Sequence, residues 1–106
     1  MLTLHLKKVW FDKIKSGEKT HEYREVTDYW FRRLFLFSKI LCRQTMLPLH
    51  STIIFCCGYP AKDDSSKRLK AKIKNICIRN GMNTDLKIDK QVFDIEFELI
   101  KDTVNE

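Results

Sequence analysis

The chain has 106 residues, enough for one modest core and too few for two independent ones. A hydrophobic share of 43% with 11% aromatics, and only three Gly and two Pro, excludes a disordered chain and predicts a single folded domain over residues 1–106 with a short C-terminal tail from about 103. Twenty Lys and Arg against fourteen Asp and Glu leave a net charge of +6, which favours an anionic partner without identifying one.

Leu2, Leu4 and Leu6 alternate with Thr3 and His5, the period of a half-buried strand. KKVWFDKIKSG follows as a short helix with Val9, Trp10, Phe11 and Ile14 toward one side, Lys13 and Lys15 near its C-terminal dipole, and Gly17 as its stop. From Thr20 to Val26 the period returns to two, with Thr20, Glu22, Arg24 and Val26 on one side and His21, Tyr23 and Glu25 on the other. This strand is unusually polar. Thr27 reads as the N-cap of a second helix, DYWFRRLFLF, on which Trp30, Leu34 and Phe37 share a face. The path of residues 38–50 has no readable period, and Pro48 interrupts any helix or central strand there.

Ser51 to Cys57 is an apolar strand ended by Gly58-Tyr59-Pro60, and AKDDSSK reads as a loop. Between Arg68 and Lys74, Leu69, Ala71 and Ile73 point one way and four cations the other; the apolar phase then slips, which predicts a bulge near Asn75. Asn80-Gly81 opens a turn, and Gly81 to Gln91 is a polar connection. The last strand sets Phe93, Ile95, Phe97 and Leu99 against an acidic stripe of Asp94, Glu96 and Glu98. Antiparallel pairing would lay those acids across from the lysines, so that stripe is explained without nucleic acid. The order predicts an α+β fold: a small curved five-stranded sheet or partial β-barrel with two short helices.

Cys42, Cys56, Cys57 and Cys77 form no C-x-x-C pair and no Cys/His cluster, so neither a metal nor a cofactor is expected. Free thiols in a reducing cytoplasm are the expectation, with Cys56 and Cys57 on opposite faces of their strand. The N-terminal segment lacks a signal-peptide core, and Leu34 to Cys42, broken by Lys39, falls short of the roughly 20 apolar residues a membrane helix needs. A cytoplasmic protein with no membrane partner is expected.

The helix W-F-D-x-I-x-S-G, then GEKTHEYRE, the Y-W-x-x-R-L helix and a later strand ending in Gly58-Tyr59 together resemble the ASCH-domain family of the PUA-like β-barrel superfamily. The resemblance is strongest over residues 4–34. It implies a nearly closed barrel with a cleft lined by the polar strand, and a role in RNA-linked chemistry: binding of RNA or a modified nucleoside, N4-acetylcytidine amidohydrolysis, or ribonuclease activity. In the amidohydrolase branch a Lys after the helix, a Thr three positions later and a distant Glu form the catalytic set. Lys19 matches that Lys, position 22 is Glu, and the distant Glu has no counterpart.

The residues themselves point to the same segment. Glu22 and Arg24, two apart in a strand, lie roughly 7 Å apart on one face, close enough to pair or to share a polar ligand. Lys19 at the strand entrance suits a phosphate or, if desolvated, a base or nucleophile, with Glu22 relaying a proton. Tyr23, Trp10 or Trp30 can stack on a base if exposed, and Tyr59 either lines the cleft or packs on the barrel end. A solvated sheet face with a weak Glu-x-Arg pair is the plain alternative. A protein-interaction surface on the Tyr29 to Phe37 helix is another.

Overall fold

The computed structural model describes residues 2–40, 43–48 and 50–100, with the backbone alone described for 36–40 and 43–48. Cys42 and the tail from about 103 lie outside the described residues. The elements run β1 (Leu2–Leu6), α1 (Lys8–Lys15), β2 (His21–Glu25), α2 (Asp28–Leu34), β3 (Phe35–Ile40), β4 (Arg43–Pro48), β5 (Thr52–Cys57), β6 (Arg68–Asn80) and β7 (Gln91–Leu99). Five of the strands form one curled half-barrel sheet in the order β1-β5-β6-β7-β2, and the domain is α+β. β1 runs parallel to β5, and the other pairs are antiparallel.

The alternating residues of the strands build the core. Leu2, Leu4 and Leu6 of β1, Ile53 and Phe55 of β5, and Phe93, Ile95 and Phe97 of β7 bury on the concave side, joined by Phe11 and Ile14 of α1 and Leu34 of α2. Each such side chain contributes about 1.5–3 kcal/mol by leaving water. Because the sheet does not close, β1 and β2 remain its two edges, and the seam between them is where α1 and α2 attach.

Three expectations are corrected. The second helix ends at Leu34, and Phe35 to Phe37 belong to β3, which pairs with β4 as a separate hairpin. The apolar run there satisfies both a helical and a strand period, and tertiary pairing decides between them. Phe31 and Phe35 nevertheless pack against Phe93, so Tyr29 is the large ring that α2 exposes to solvent, beside the charged Asp28 and Arg32. The bulge falls between Ile73 and Asn75 as the phase slip requires, and it limits direct charge pairing: Glu98 lies opposite Lys72, but Glu96 faces Asn75 and Asp94 faces Cys77. Asp94 is not solvated at all, at 2% exposure.

Cys56 and Cys57 do fall on opposite faces, with Cys56 buried and Cys57 partly so, and Cys56, Cys57 and Cys77 are free. Among the described residues no helix is long and apolar enough to cross a membrane.

Candidate functional site

Gly17, at φ +85°, turns the chain out of α1 in a conformation that L side chains avoid. The chain then folds back so that the Lys19 amide donates to the Lys13 carbonyl at 3.0 Å. This places Lys19 beside Trp10 of α1 and Tyr23 of β2, with its Nζ 5.4 and 5.0 Å from the two ring centroids. The ammonium is buried and pairs with Glu22 Oε1 at 3.4 Å and with the Asp85 carboxylate. The other oxygen of Glu22 accepts from Arg24 Nη2 at 2.8 Å, and the Arg24 guanidinium lies 4.9 Å over Trp30.

Glu22 and Arg24 sit opposite Ile95 and Phe93 of β7, so they point to the core side of the sheet. Charges there are expensive unless paired. The result is a line of alternating sign, Asp85, Lys19, Glu22, Arg24, set among three aromatic rings. Nε of Arg24 and Nε of Arg33, which stacks on Trp30 as well, are buried without a hydrogen-bond partner among the described residues. Their terminal nitrogens are partnered, Arg24 by Glu22 and Arg33 by the Tyr29 hydroxyl and the Thr3 carbonyl, and ring contacts add to these bonds.

Asp85 comes from the connection between β6 and β7, which is fixed rather than loose. Asn80 Oδ1 caps its first turn by accepting from the Met82 amide at 2.8 Å, and the Gly81 carbonyl accepts from Thr84 Oγ1 at 2.7 Å. A Cβ on Gly81 would lie 2.8–2.9 Å from Val92 Cγ1, Ile88 Cγ1 and the Ile88 carbonyl. Only glycine fits that approach. The Lys19 and Asp85 pair forms a septum between two hollows of about 310 and 250 Å³, which share Trp10, Lys19, Tyr23 and Asp85 as walls. The first adds Lys13, Glu18 and His21; the second adds Lys7, Glu22 and Arg24.

On the opposite face of β2, His21 Nδ1 lies 2.6 Å from Asp94 Oδ1 and Arg79 Nε lies 2.9 Å from Asp94 Oδ2. A carboxylate only accepts, so the imidazole donates from Nδ1. Tyr23 stacks on His21, and its phenol pKa is raised above the usual 10, first by burial and then by the charges of Asp94 and Asp85.

Of the residues read from the sequence, Lys19, Glu22, Tyr23 and Arg24 come together. Tyr59 does not join them: it is 86% exposed and stacks on His5 in a neighbouring hollow that Arg24 also lines. Two residues were missed. Asp85 sits in a segment with no period to place it, and Asp94 reads as one member of a solvated stripe unless its strand neighbours are known. Among the described residues no group of three or more His, Cys, Asp or Glu could hold a metal ion. No protein-family model, curated protein or solved structure matches the chain.

Proposed function

We propose that the protein is a cytoplasmic, ASCH-like domain whose seam cleft binds RNA or a modified nucleoside. One observation carries this: the two cations of the cleft, buried Lys19 and half-buried Arg24, lie against Trp10, Tyr23 and Trp30 while a single buried carboxylate, Glu22, orients both. Rings supply stacking surface for a base, worth about 1–3 kcal/mol each, and cations beside them supply the phosphate contact. Lys13, 5.2 Å over Trp10, and Lys7 extend the positive charge around the opening.

A second reading rests on Asp85. A carboxylate distant in sequence meets Lys19 there, so the site holds an amine and two acids within reach of one another, which suits hydrolysis of an acylated cytidine with water as nucleophile. No hydroxyl occupies position 22.

The deciding experiment incubates wild type and Lys19→Ala with single-stranded RNA and, separately, with N4-acetylcytidine, following binding and product. The binding reading expects RNA affinity that falls with salt and drops about tenfold or more in Lys19→Ala, with no product. Product formed by wild type and not by the variant makes the protein a hydrolase. Binding that ignores both salt and Lys19 removes the cleft from the function.

A further inference from the structure

We infer that the cleft continues past Arg24 into a second base subsite built on Tyr59, so that its ligand is a single-stranded RNA of two or more nucleotides and not a lone nucleoside. This rests on the RNA reading above and extends it.

A third hollow, about 270 Å³, shares His5 and Arg24 as walls with the central one, so the two lie side by side across these side chains. Its charge differs from the others. The first two hollows set Lys7, Lys13, Lys19 and Arg24 against Glu18, Glu22 and Asp85, whereas the third is lined by Arg33 and by Arg24, which keeps its bond to Glu22, with no carboxylate in its own walls. That is the place along the cleft where an anion gains most and displaces least.

Tyr59 is built as a platform. Its ring stacks on His5 at 4.1 Å with an interplanar angle of 19° and leaves the rest of its surface to solvent. His5 is itself pinned, because its Nδ1 donates to the Gly58 carbonyl at 2.8 Å while the Gly58 amide donates to the Leu6 carbonyl at 2.8 Å. Gly58 holds the turn at φ +64°. A large aromatic ring this exposed has no packing role; held flat by a second ring, it loses little freedom when a base stacks on it. Arg24 and Arg33, stacked 4.9 and 5.4 Å over Trp30, then meet the phosphate that links this base to the one in the central hollow.

The test is competition for a fluorescein-labelled (rC)6 by CMP, CpC, unlabelled (rC)6 and a hexaglutamate peptide. It is run on wild type, Tyr59→Ala, Tyr59→Phe and Arg33→Gln. We expect (rC)6 to bind wild type at least tenfold tighter than CMP, and Tyr59→Ala to shrink that ratio about tenfold, the loss of one stacked base. Tyr59→Phe keeps the ratio, since stacking needs the ring and not the hydroxyl. Arg33→Gln lowers the slope of log affinity against log salt by about 0.7, one single-strand phosphate. CMP equal to (rC)6 in wild type, or a ratio unmoved by Tyr59→Ala, overturns the second subsite and leaves the central one standing. Hexaglutamate as good as (rC)6, or no competition by any RNA, overturns both.

Discussion

Two carboxylates on adjacent strands of this half-barrel invite comparison. Glu22 and Asp94 are both nearly sealed from solvent, at 7% and 2% exposure, and each accepts from two side-chain donors. The partners of Asp94 come from β2 and β6, so this residue of β7 ties three neighbouring strands together. The partners of Glu22, Lys19 and Arg24, belong to its own stretch of chain, and the one distant segment they reach is the β6–β7 connection, through Asp85 on Lys19. A buried ion pair is weak evidence for stability in itself, because desolvation offsets its attraction. What separates the two is what the pairing joins: Asp94 staples the sheet, whereas Glu22 organises cations that face a cleft. Costs of the second kind concentrate at functional sites.

The comparison makes graded predictions. Asp94→Ala removes two charge-assisted hydrogen bonds from the convex face, and we predict a loss of about 3 kcal/mol in chemical denaturation, with Arg79 and His21 partly rehydrated. Gly81→Ala forces the β6–β7 connection to shift and costs about 2 kcal/mol by the same measurement. It should also weaken RNA binding, because Asp85 moves with the loop. Glu22→Gln keeps the shape but only one acceptor oxygen, turning a donor toward Lys19 or Arg24, so we expect about 1 kcal/mol in stability together with a several-fold change in RNA affinity. A Glu22→Gln as destabilising as Asp94→Ala would erase the distinction between staple and site.

The smallest effect sharpens the comparison at the residue between the two clusters. Tyr23 lies over Lys19 on one side and next to His21 on the other, and burial, Asp94 and Asp85 raise its pKa. A group raised on folding stabilises the native state below its unfolded value near 10, and that contribution is lost as pH climbs through the folded value. In absorbance titration, one tyrosine of the wild type should ionise later than the other two, and Tyr23→Phe identifies it. Asp94→Asn should bring it partway back toward the ordinary value. Late ionisation unchanged in Asp94→Asn would mean that burial and Asp85 set it without Asp94.

Much of this was legible in the sequence because it depends on local period. Alternation in Leu2 to Leu6 and in Thr20 to Val26, the stop at Gly17 and the phase slip before Ile76 each state which face a side chain takes. Those facts alone place Lys19, Glu22 and Arg24 near one another. Parity also set His21 apart from Glu22. It could not say that Asp94 lay beside His21, since the neighbour of an edge strand is chosen by register across most of the chain length. Asp85 was illegible for a different reason: a polar connection gains its position from caps and a glycine contact, not from a repeating pattern. The β3–β4 hairpin escaped because LFLFSKI suits both periods.

The strand order has one more consequence, for how the cleft opens. β5, β6 and β7 follow one another as antiparallel neighbours, while β1 and β2, which carry its two lips, pair with partners at the largest sequence separations in the sheet. Such distant pairings form late and release early, since the chain between them must be ordered first. The lips are thus the low-stability margin of the domain, and amide exchange should be fastest at Leu2–Leu6 and His21–Glu25 among the sheet strands. A ligand lying across them fastens both loose edges at once. Bound RNA would act as a clasp on the open barrel, slowing the release of β1 and β2 far more than that of the meander behind them.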